Sequence, residues 1–124
     1  ARALCSLWQI APEVESRVAE IPSPAKDLAQ RSKWLHNVMQ DRWSNLDPGL
    51  QIWRRKMIDA VGEITEDTVI FSHFIAINVL VGVSMGNDSV VGFLPDNASI
   101  TTLEVHHKNI TLVEKGKEAT TIIG

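Results

Sequence analysis

Apolar residues recur along this chain with two different periods, and the places where the period changes mark its elements. In "ARALCSLWQIA", Ala3, Leu7 and Ile10 or Ala11 fall at helical spacing, which predicts a first helix ended by Pro12. "EVESRVAEI" alternates apolar and polar instead, with Val14, then Ser16, then Val18, and predicts a short half-buried strand. "IPSPA" is a turn in which Ser23 can cap a helix with Pro24 at its first position. That helix is predicted from Pro24 to about Leu46, with Leu28, Trp34, Leu35, Val38 and Met39 as its apolar stripe. "NLDPG" breaks it. Asp47 then caps a helix from Pro48 to about Val61, whose apolar face is Leu50, Ile52 or Trp53, Met57, Ile58 and Val61.

"DTVIF" places Val69, Ile70 and Phe71 in a row, the pattern of a strand covered on both faces, as in a parallel sheet. "FIAINVLVGV" is apolar nearly all round and is bounded by Gly82 and Gly86, which predicts a short buried helix. "SVVGFL" reads as a strand or extended segment, and "PDNA" as a turn. "SITTLEV" and "NITLVEK", joined through "HHKN", predict an antiparallel hairpin. Strands alternating with helices and ending in a hairpin give a three-layer α/β/α domain with a mostly parallel sheet. There is no internal repeat and no low-complexity segment, so 124 residues make one domain.

Composition narrows the partners more than it changes the fold. A net charge of −3 gives no electrostatic footprint for nucleic acid or an anionic membrane. No apolar run reaches the roughly 18 residues needed to cross a bilayer. The single cysteine, Cys5, excludes an internal disulfide and fits a reducing compartment, so a cytoplasmic location is expected. No capping residue precedes the first helix, and the sequence is therefore expected to be incomplete at its N-terminus.

The chemistry centres on His73, at the seam where "TVIFS" meets "FIAIN". In open α/β sheets, ligands bind at the carboxyl ends of the strands. The N-terminus of the next helix offers unpaired N–H groups and the positive end of its dipole, both favourable to an anion. A histidine there can donate to a phosphoryl oxygen. The competing reading is a histidine that only caps the turn.

"TVIFSHFIAINVLVG" resembles the second-histidine segment of the histidine phosphatase superfamily, the phosphoglycerate-mutase-like fold. Phe74 stands where that family has glycine, and a side chain there is expected to narrow the mouth of the site. "RALCS" at Arg2 to Ser6 is similar to the family's Arg-Ala-x-x-Thr, "VESRVAEIPSP" to the segment that carries its acidic residue, and "LPDNASITTLEV" to its last strands. The resemblance implies a phosphatase acting on a phosphorylated small molecule through a phosphohistidine, without metal or organic cofactor. It implies His73 as the second, non-nucleophilic histidine and Glu20 as the acid and base. It implies Arg2, His73 and the Phe74 backbone N–H as phosphate ligands, with Asn97 beside the pocket. The family's Arg-His-Gly strand, which carries the nucleophile, has no counterpart here. Histidine 36 falls in a helix and His106-His107 in the hairpin. The alternative is a non-catalytic phosphate-binding or interaction domain of the same fold.

Other features carry less. Adjacent strand residues point to opposite faces, so His106 and His107 cannot chelate one ion together. "WRRK" at Trp53 to Lys56 reads as a solvated helix face. No glycine-rich phosphate loop of nucleotide-binding type occurs.

Overall fold

The structure, a computed structural model, describes residues 11–24 and 26–119. The predicted first helix, with Arg2 and Ser6, lies outside the described residues save for Ala11. Three α-helices and one β-hairpin form in the order α1 (Leu28–Met39), α2 (Pro48–Gly62), α3 (Phe74–Met85), β1 (Thr102–His106) and β2 (Asn109–Glu114). The fold is therefore mixed α/β.

Each helix begins and ends for a local reason. α1 opens at Asp27, not Ser23: the Asp27 carboxylate accepts the Gln30 N–H at 2.8 Å. Its predicted stripe meets the core only through the later turns. Val38 is buried and Trp34, Leu35 and Met39 pack against the core, whereas Leu28, the first helical residue, is 83% exposed. α2 opens as the sequence predicts, with Asp47 accepting the Leu50 N–H at 3.0 Å and Pro48 in the first turn. α3 closes at Gly86, whose φ of 67° lies in the left-handed region that glycine adopts at little cost. The Gly86 N–H reaches the Gly82 and Val83 carbonyls there.

α3 is the centre of the molecule. Ile75, Ala76, Val79 and Leu80 are buried in one cluster with Leu50, Met57 and Val61 of α2, Val38 of α1, and Ile21, Trp43, Val90 and Ile110. This is why its sequence is apolar on every side. Trp43 sits in a short 3-10 turn, Trp43–Asn45, almost fully buried and stacked on Trp53 with ring centroids 6.0 Å apart. It is a core residue. The hairpin pairs Leu103 with Leu112 and Val105 with Ile110, and packs on α2 and α3. Its loop residues His107 and Lys108 both have positive φ, 48° and 67°, the geometry of a two-residue type I′ hairpin turn.

Two predicted strands do not form. The 13–21 segment contains a 3-10 turn, Ser16–Val18, rather than a strand. Glu15 and Arg17 close it locally, because the Glu15 carboxylate accepts both the Arg17 N–H and its guanidinium. The 67–71 segment makes no ladder, and Val69, Ile70 and Phe71 are 58%, 38% and 55% exposed. A strand exists only where a second chain segment supplies its hydrogen bonds. Among the described residues the sheet consists of β1 and β2 alone, antiparallel, and no parallel sheet is present.

Candidate active site at the N-terminus of the central helix

His73 is the N-cap residue of α3. Its backbone is extended, its carbonyl accepts the Ile77 N–H at 2.9 Å, and its side chain makes no capping hydrogen bond. The imidazole is thus left free of the structural duty that the competing sequence reading gave it. Its side chain is about half exposed and faces Glu20, with Nδ1 4.0 Å from Oε2. The two residues lie far apart in sequence, and the fold brings them together.

Glu20 is held from both sides. Its Oε1 accepts the N–H of Ile21 at 2.9 Å, and Ile21 is anchored in the core. Oε2 is turned toward the imidazole. Two residues back, the Val18 carbonyl accepts the Ser72 hydroxyl at 2.9 Å. The Arg17 guanidinium bonds Glu15 at 2.9 Å and Glu63, just past the end of α2, at 3.2 Å. The hydrogen bond to Glu15 raises the Arg17 pKa above its ordinary value, and Arg17 in turn lowers that of Glu15. Arg17 is therefore committed to these carboxylates and is not a free cation beside His73.

The remaining predicted residues fall as follows. Phe74 opens α3, so its N–H lies in the first turn, where helical amides lack intrahelical partners. Its half-buried side chain packs against the core cluster. Asn97 is exposed in a turn, its N–H donating to Asp96 Oδ1 at 2.9 Å. The hydrogen bonds of that turn, with Ser99 also bonding Asp96, do not reach His73 or Glu20. Arg2 lies outside the described residues. His36 is bonded to Gln40, and His106 and His107 contact each other in the hairpin with ring centroids 4.2 Å apart.

A larger concavity than the space between His73 and Glu20 lies elsewhere. It is an open groove of about 560 Å³ between the end of α2, the 64–72 segment and β1, and Ser72 reaches it while His73 and Glu20 do not line it. Glu66, Asp67 and Glu104 ring it without a cationic group. Three carboxylates repel a phosphate, so the groove is a poor anion site whatever its size. Among the described residues, no group of three or more His, Cys, Asp or Glu side chains could hold a metal ion. Among them too, no helix is long and apolar enough to cross a membrane.

Two residues were not singled out from sequence. Ser72 was quoted only as the neighbour of His73. Asn78, fully buried in α3, donates to the Phe74 carbonyl at 3.1 Å and accepts the N–H groups of Gly92 and Phe93 at 2.8 and 3.2 Å. A lone amide in an otherwise apolar helix was the signal, since a buried polar group must find partners. Comparison of the chain with protein-family models, curated proteins and solved structures finds no match.

Proposed function

We propose that this chain is the larger part of a phosphatase domain of the histidine phosphatase type, which hydrolyses phosphomonoesters through a phosphohistidine. The observation that carries this is the pairing of an uncommitted imidazole at a helix N-terminus with a carboxylate 4.0 Å away. The helix terminus favours the dianionic phosphoryl group, and the imidazole donates to one of its oxygens. The attacking imidazole belongs to an Arg-His-Gly strand outside these 124 residues. Its nitrogen bonds to phosphorus as the P–O bond to the alcohol breaks, and Glu20, protonated, passes its proton to the departing oxygen. Water then attacks the phosphohistidine, Glu20 takes the water's proton, and the P–N bond breaks to release phosphate. His73 and the first-turn amides stabilise the charge on the phosphoryl oxygens in both steps.

Exposure of Val69, Ile70 and Phe71 supports the finer fold reading. Three consecutive apolar residues leading to His73 are the composition of an inner strand, and a neighbouring strand would cover them in a three-layer α/β/α, phosphoglycerate-mutase-like sheet.

The test uses the product of the complete reading frame with p-nitrophenyl phosphate. His73→Ala is expected to lower kcat by about 10²–10³-fold, the effect of deleting one donor to a transition-state oxyanion. The 124-residue chain alone is expected not to turn over. Full activity in His73→Ala, or none in the wild type, would overturn the assignment. Wild-type phosphate binding without turnover would favour a phosphate-binding domain instead.

A further inference from the structure

We propose that Ser72 is a positioning residue that sets the Glu20 carboxyl against His73, and that its effect is confined to the proton transferred by Glu20. The proposal rests on the phosphatase reading above. Glu20 belongs to a segment with no regular hydrogen-bonded ladder, so its place must come from a few tethers. Four hold residues 15–21. Ile21 is buried in the core, the Val18 side chain packs against it, Arg17 bonds Glu63, and the Val18 carbonyl accepts the Ser72 hydroxyl.

These tethers are not equivalent. The Arg17–Glu63 contact is between solvated side chains, where water and salt weaken an ion pair. Ile21 and Val18 hold the segment on either side of Glu20 by apolar packing, which is non-directional and does not fix the orientation of the backbone between them. The Ser72 bond is partly buried, spans 54 residues of sequence, and starts from the residue next to His73. One hydroxyl therefore ties the backbone that carries the imidazole to the backbone two residues before the carboxyl. Misplacement of a reacting group by about 1 Å can cost on the order of 10²-fold in rate.

Ser72 is not placed on the phosphoryl group, because its hydroxyl proton is committed to Val18. Its loss should thus be felt only where Glu20 is needed. Proton donation matters when the leaving alcohol is a poor leaving group. It matters little for p-nitrophenolate, which departs as a stable anion.

The experiment compares an alkyl phosphate with p-nitrophenyl phosphate, using the product of the complete reading frame. Ser72→Ala is expected to lower kcat/KM about 10-fold on the alkyl phosphate and at most about twofold on p-nitrophenyl phosphate, because kcat/KM ends with departure of the alcohol, before Glu20 takes the proton of water. Ser72→Thr, which keeps the hydroxyl, should restore the alkyl rate. Added to Glu20→Gln, Ser72→Ala should cost nothing further, the non-additivity of groups acting through one another. Equal losses on both substrates, or a full additional loss in the Glu20→Gln background, would overturn the proposal. A second measurement is independent of activity. In the product of the complete reading frame, nuclear Overhauser contacts between the Glu20 side chain and the His73 ring should weaken in Ser72→Ala while those between Asn78 and Gly92 persist. Unchanged Glu20–His73 contacts would sink the positioning role alone, whereas an inactive wild type would sink the phosphatase reading alone.

Discussion

The two ends of α3 are built differently. Around its middle and C-terminal part the chain is knitted. Asn78 joins α3 to Gly92 and Phe93, Trp43 donates its N–H to the Asp88 carbonyl at 2.9 Å, and Val90 donates to Asp41 at 3.1 Å. Asn78, Trp43, Val90 and Phe93 are all buried there. At the N-terminus of the same helix, His73 and Glu20 meet across 4.0 Å with single tethers behind them, and Val69 to Phe71 stand in solvent. Framework and candidate site thus share one helix but not one degree of constraint. Residues that bind or transform a ligand must be reachable, and reachability and dense packing oppose each other.

The sharpest way to break this contrast is Asn78→Ala. It strands the buried Phe93 N–H, frees the Gly92 N–H and removes a donor from the Phe74 carbonyl, so a loss of about 2 kcal/mol is expected in urea unfolding. A loss below about 1 kcal/mol would show that the knitted half is not held by its amide.

The open end predicts the reverse behaviour. Val69→Lys with Phe71→Lys should change stability by no more than about 0.5 kcal/mol, because both side chains are already more than half exposed. The 124-residue chain itself should associate at tens of micromolar concentration through this apolar, β-prone segment, and the double variant should sediment as a monomer. A sharp monomeric boundary for the unaltered chain would contradict this.

The hairpin allows a gain. His107 and Lys108 occupy positive-φ positions without glycine or asparagine. Replacement by Asn-Gly should raise stability by about 1 kcal/mol, read from the denaturant midpoint.

The smallest effect is a pH dependence on the knitted side. Ser44 donates to Asp88 at 2.6 Å, and this bond, helped by the charges of Arg54 and Arg42, lowers the Asp88 pKa below the ordinary aspartate value. A carboxyl with a depressed folded pKa stabilises the fold above about pH 3.9, and the contribution is lost as pH falls through the lower folded value. Ser44→Ala should therefore flatten the decline of stability between pH 5 and about pH 2 in urea titrations.

What was legible in the sequence follows the same division. α2, α3 and the hairpin were readable because their causes are local: Asp47-Pro48 at one start, Gly86 at one end, alternation through Leu103 and Val105. The strand over 67–71 was readable only as a composition, since pairing is decided by a neighbour and not by Val-Ile-Phe itself. The strand over 14–18 lost to a contact two residues long, Glu15 with Arg17, which alternation does not register. The meeting of Glu20 with His73 came from the resemblance, not from any spacing. Ser72 and Asn78 were visible as letters, but their roles depend on Val18 and Gly92, partners 54 and 14 residues away.

The central claim is that His73 serves the phosphoryl group without bonding to it. Rapid alkaline quenching of the complete reading-frame product with a slowly turned-over phosphomonoester, followed by peptide mapping, tests it most directly, because phosphohistidine survives base. The account predicts one phosphorylated histidine, outside residues 1–124, formed more slowly but at the same place in His73→Ala. Phosphate found on His73, or on no histidine during turnover, would contradict it.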